Sequence, residues 1–92
     1  MRELLVETRK EEGADGSEYS FDYFVLVDQM EVSGGFACES YGVKVAPAGQ
    51  AGGGAQVPNI TTSVSRIDAL MELLTRNFVT PATLNDVVAD WL

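Results

Sequence analysis

The chain contains no histidine and a single cysteine, Cys38, and no stretch of it is apolar for long enough to cross a membrane. Without histidine there is no Ser/His/Asp relay and no imidazole metal ligand. Cys38 lies between Ala37 and Glu39 with no cationic neighbour in sequence and no histidine to act as its base, so it reads as an inert, partly packed thiol. One cysteine also excludes an intrachain disulfide framework and a sulfur-rich zinc site, which fits a reducing compartment. Basic residues are scarce too: six Lys and Arg stand against fourteen Asp and Glu, a net charge of −8, and residues 1–18, 19–64 and 65–92 are each net negative. Nucleic-acid binding needs clustered cations that displace phosphate counterions, and an anionic membrane surface needs the same, so neither is expected. Met1 to Glu7 is interrupted by Glu3 and Glu7 before any secretory signal core forms, which places the protein in the cytoplasm.

What is present suffices to fold. Hydrophobic residues make up 46% and aromatics 9% of 92 residues, enough for one domain over residues 1–92 that buries roughly 60–65% of its unfolded surface. Leu4 to Arg9 alternates as a first strand, with Leu4, Val6 and Thr8 on one face and Glu3, Leu5, Glu7 and Arg9 on the other. Asp15-Gly16 closes a hairpin to a second strand, Tyr19 to Met30, which is apolar on both faces and therefore central. Ser33-Gly34-Gly35 turns into a third strand, Phe36 to Val45, where Gly42 marks a bulge or a close approach of backbones. Ala46 to Gln56 holds no side chain large enough to pack and reads as a flexible glycine-rich loop. It lacks the lysine and Ser/Thr that a phosphate-binding loop requires. Val57 to Val64 supplies a short fourth strand, at an edge because Pro58 has no amide hydrogen.

Two helices follow. Ser65 to Asp68 resembles a capping box and opens a helix to about Asn77 whose Ile67, Leu70, Met71, Leu74 and Phe78 form one stripe. Thr80-Pro81 then starts a closing helix to the last residue, with Leu84, Val87, Val88 and Trp91 facing inward, so the end of the chain is expected to be structured. The fold class predicted is α+β: an antiparallel sheet of three to four strands followed by two C-terminal helices on one face. A barrel-like curl of the strands is the alternative.

Two sets of residues are candidate partner-binding positions. Asp86 and Asp90 project from the same side of the last helix, away from its apolar stripe, and Asp90 lies at the negative end of the helix dipole. They are either a solvated face or a contact for a basic partner, with Arg66 or Arg76 the internal cations that can reach them. Tyr19, Phe21 and Tyr23 line one face of the central strand, and since two helices cover only one side of a sheet, part of this apolar strand is left as a contact surface or managed within a monomer. No catalytic, metal-ligating or cofactor-binding residue is predicted.

Tyr41-Gly42-Val43-Lys44-Val45, Thr61-Thr62-Ser63, and Asn77-Phe78-Val79-Thr80-Pro81 followed by Leu84, Asp86-Val87-Val88 and Asp90-Trp91-Leu92 resemble a family of short uncharacterised bacterial proteins. The likeness covers the second half of the chain; the first two strands share only its pattern, and the glycine-rich loop is an insertion relative to it. The resemblance implies a full-length cytoplasmic protein with this strand-then-helix layout, and it brings no activity. The function expected is a non-enzymatic protein-binding or regulatory module, acting on a protein partner or a second copy of itself. The alternative is a small-molecule sensor or enzyme with its site between sheet and helices.

Overall fold

The structure, a computed structural model, describes residues 1–32, 34–50 and 52–92, and of Val32 the backbone only. The expected turn at Ser33 and position Ala51 of the expected loop lie outside the described residues. Four strands, β1 (Arg2–Glu12), β2 (Glu18–Val32), β3 (Phe36–Pro47) and β4 (Ala55–Thr61), form one sheet in the order β1-β2-β3-β4, and α1 (Val64–Arg76) and α2 (Leu84–Trp91) follow. All three pairings are antiparallel between consecutive strands, so hairpins suffice as connections and β1 and β4 are both edges. This is the α+β arrangement the sequence predicts.

The first hairpin closes at Asp15-Gly16. Gly16 takes φ +85°, the Gly13 amide donates to Ser17 O at 2.7 Å, and Asp15 Oδ1 accepts from Ser17 N at 3.0 Å. That amide holds the Asp15 carboxyl below the usual carboxylate range. The glycine-rich stretch is shorter as a loop than its composition suggests. β3 continues through Pro47, β4 begins at Ala55, Ala46 is fully buried, and Ala55 packs against the core. Small side chains there permit close approach as well as a turn.

Register divides the sheet into two faces. Tyr23 of β2 lies opposite Val45, and Val25 opposite Val43, so these side chains share one face. Ile67, Leu70, Met71 and Leu74 of α1 and Leu84 and Val88 of α2 close over that face to make the core. The stripe read from the sequence thus docks as expected, apart from Phe78. This residue leaves the helix at φ +48° and sets its ring edge-on against Phe21, 5.4 Å between centroids.

Phe78 completes a Schellman ending. Val79 N donates to Leu74 O and Phe78 N to Thr75 O, while Asn77, the expected stop, caps the helix and donates from Nδ2 to Leu73 O at 2.9 Å. Glycine usually fills the left-handed position; here the contact with Phe21 offsets a cost of about 1–2 kcal/mol.

Both helix starts fall later or earlier than the sequence signals. α1 is capped by Ser63, whose backbone is extended and whose hydroxyl accepts from Arg66 N at 3.3 Å, two residues before the expected box at Ser65. Ser65 Oγ instead sits 3.1 Å from Ser63 Oγ. In the second case Thr80 to Thr83 is a turn, closed by Thr83 N to Thr80 O at 3.1 Å with Pro81 at its second position. α2 therefore begins only at Leu84, and Thr83 at its N-cap makes no side-chain capping bond. Proline with fixed φ suits both a turn and a helix start, and the turn wins because Val79 and Leu84 must both enter the core.

Two irregularities shape the edges. Gly42 lies under the β4 backbone: a Cβ there would stand 2.3 Å from Val57 O and 2.6 Å from Pro58 Cα, at a register shift between β3 and β4. The second irregularity is a bulge in β1 between Leu5 and Glu7. It inverts the alternation expected after Val6: Glu7 and Arg9 lie opposite Tyr23 and Phe21 on the helix side, whereas Thr8 pairs with Asp22 on the far face, Oγ1 to Oδ1 2.5 Å.

Candidate functional site

α1 packs over β2, β3 and β4, and α2 over β4, which leaves β1 without a helix above it. Every residue of β1 except Arg9 is exposed, and its outer edge has no strand partner among the described residues. Leu4, Leu5 and Val6 are 47%, 58% and 52% accessible, an unusual run for a strand in a small domain. The bulge places Val6 and Glu7 both toward α1, so Leu4, Val6 and Glu7 form one wall of a groove and α1 the other.

The groove has two contiguous halves of about 340 and 290 Å³. Leu4 and Val6 face Val64, Ile67 and Asp68 in the first, with Val25, Val27 and Tyr41 as floor. Further along, Val6 and Glu7 face Asp68, Met71, Glu72 and Thr75. The helix therefore runs beside the strand in the same sense. The floor is apolar and the rim carries carboxylates: Glu7, Asp68, Glu72 and, at the open end, Glu39. Arg2 pairs with Glu39 at 3.1 Å and Arg76 with Glu72, while Glu7 and Asp68 form no ion pair among the described residues. This is the composition of a docking surface: apolar area for affinity and fixed charge for choice.

The space between sheet and helices is different. It is filled by the core, and Tyr23 places its one polar atom there, donating from Oη to Val79 O at 2.8 Å. Among the described residues no buried side-chain nitrogen or oxygen lacks a partner, and no group of three His, Cys, Asp or Glu is placed to hold a metal. Burial pushes the Tyr23 hydroxyl up to about 12, against its ordinary 10. The folded pKa is the higher one, so this stabilisation is complete below pH 10 and disappears as pH rises toward 12. Tyr23→Phe is expected to cost about 1–3 kcal/mol at neutral pH, because Val79 O is left without its donor. Denaturant unfolding from pH 8 to 11.5 should show the wild type losing stability above pH 10 more steeply than the variant.

The positions predicted from sequence separate. Asp86 and Asp90 are exposed on the outer side of α2, at the β4 edge and thus across the sheet from the groove. Arg66 reaches the last turn of α2, its guanidinium 4.5 Å from the Trp91 ring centroid, so one of the two expected internal cations does approach the negative helix end. The aromatic face is the one the helices cover: Tyr23 is fully buried, Phe21 packs on Phe78, and only Tyr19 is substantially exposed, near Gly13 at the first hairpin. Leu4, Leu5 and Val6 were not singled out by the sequence. The available signal was three consecutive apolar residues in a strand otherwise made of charges and one threonine, at the end of the sheet order.

On the opposite face of the sheet Lys44 is largely buried, paired with Glu3 and 5.5 Å from the Phe24 ring centroid. Its aliphatic stem and this pair cover apolar surface that no helix reaches. Among the described residues no helix is long and apolar enough to cross a membrane.

No curated protein and no solved structure matches this chain. Residues 2–92 match the model of a family of unknown function, DUF6514, and the chain belongs to that family.

Proposed function

We propose that this protein is a non-enzymatic binding module that engages another protein through the outer edge of β1 and the groove between β1 and α1. The observation that carries the reading is the exposure of Leu4, Leu5 and Val6 on an unpartnered edge beside an apolar groove. An edge strand of 11 residues presents a row of unpaired backbone N–H and C=O groups, and proteins ordinarily blunt such edges. Here the blunting devices, charges at Arg2 and Glu3 and a bulge with further charges from Val6 onward, leave Leu4 and Leu5 bare between them.

The alternative reading, in place of the β1 groove, puts the contact at Asp86 and Asp90, which make no ion pair among the described residues; Tyr19, at the first hairpin, is a separate exposed position. The scarcity of cations supports a protein partner over nucleic acid: Arg2, Lys44 and Arg76 each already face a carboxylate. A lone partly buried cysteine supports a reducing cytoplasm, which we take to be bacterial.

Photo-crosslinking tests the reading. A benzophenone side chain at position 6 should form an adduct with another protein, or with a second copy of this chain, and the same group at position 86 should form less. Adducts from position 86 alone would move the contact to α2, and none from either position would remove the binding role.

A further inference from the structure

We infer that the occupant of the β1 groove is an extended, basic segment of another protein that adds to the sheet as a fifth strand beyond β1. The inference rests on the reading of this groove as a protein-binding site and adds the chemistry of the partner.

Extension follows from the edge. The outward N–H and C=O groups of β1 are satisfied all together only by another strand, and antiparallel β2 already occupies the inner side. Basicity follows from the rim. Asp68 and Glu72 stand one turn apart on α1, about 6 Å along its axis. Alternate side chains of an added strand on the helix side repeat at about 6.6–6.8 Å, nearly the same spacing. Lysine or arginine at every second position therefore lays its stem over Leu4, Val6 and Met71 and carries its cation to Glu7, Asp68 and Glu72. The intervening side chains fall on the far face beside Leu5, where an apolar residue covers what is now exposed.

A second copy of the chain fits less well. It brings another −8 of charge, and of its six cations Arg2, Lys44 and Arg76 are held in ion pairs and Arg66 lies on Trp91.

The probe is a fluorescein-labelled peptide of about ten residues alternating lysine and valine, with a glutamate–valine peptide as its counterpart. Fluorescence anisotropy with wild-type protein should show saturable one-to-one binding of the first and none of the second. Val6→Glu adds negative charge while removing apolar surface, so simple charge attraction would strengthen binding, whereas groove docking should weaken it about tenfold. Asp68→Asn/Glu72→Gln should weaken it about fivefold, and Asp86→Asn/Asp90→Asn, an equal charge change at the other edge, should stay within about twofold.

Equal weakening by the two neutralised pairs, or tighter binding by Val6→Glu, would reduce the effect to net charge and overturn the inference. Binding of both peptides alike would overturn the basic preference. If neither peptide binds while the position-6 adduct persists, the groove binds protein of other chemistry, and only this inference fails. Adducts at twice the chain mass alone would assign the groove to a second copy.

Discussion

Gly42→Ala should lower stability by about 3 kcal/mol, an unusually large effect for adding one methyl group. The new Cβ would lie 2.3 Å from Val57 O and 2.6 Å from Pro58 Cα, both backbone atoms, so no side-chain rotation relieves the overlap. Relief requires β4 to move away from β3. Val57 and Ala55 would be drawn from the core with it, and α2, which packs on β4, would lose part of its support. Gly52→Ala is the comparison, because a Cβ there meets nothing within 4 Å and its backbone is not left-handed. It should be neutral or stabilise by up to about 1 kcal/mol through the unfolded chain. Urea unfolding of the two variants reads the difference directly, and equal effects would mean that β4 does not cross Gly42 as described.

Leu74→Ala should cost about 3–5 kcal/mol. Leu74 is fully buried at the centre of the α1 stripe, and its neighbours Leu70, Leu84 and Val88 come from both helices. A chain of this size is stable by about 5–14 kcal/mol, so one such cavity removes a large share, and melting should fall by roughly 15–25 °C. Leu73, one position earlier and partly exposed, should cost well under half as much when changed to alanine. Thermal unfolding followed by circular dichroism checks the pair. Comparable losses at positions 73 and 74 would place the helix face elsewhere.

Much of this fold was legible in the sequence because its signals are local. The Asp15-Gly16 hairpin, the two-sided apolarity of the central strand, the α1 stripe and the Asn77 stop each follow from neighbouring residues. Gly42 was legible as a bulge or close approach, though the strand that approaches it was not. The errors have one origin. Ser65 and Ser63 are equally good caps by composition, and Thr80-Pro81 suits a turn as well as a helix start; the choice is made by which apolar residues must reach the core.

The bulge at Val6 has no sequence signal at all, yet it turns Thr8 to the far face and brings Glu7 to the groove. Tyr23 and Phe21 drew attention as an aromatic face, and the side on which the helices would land was not encoded locally. For the same reason the groove was missed: it exists because α1 settles over β2 to β4, short of β1.

Amide hydrogen exchange on the chain, alone and in complex with the protein recovered by position-6 crosslinking, reads the binding surface residue by residue. In the free chain the outward amides of β1 should exchange rapidly, as expected of an unpaired edge. In the complex the outward amides between Leu4 and Glu7 should become protected, while those around Asp86 and Asp90 on α2 remain unchanged. Protection confined to α2, or β1 amides that exchange as freely in the complex as in the free chain, would contradict binding through the β1 edge.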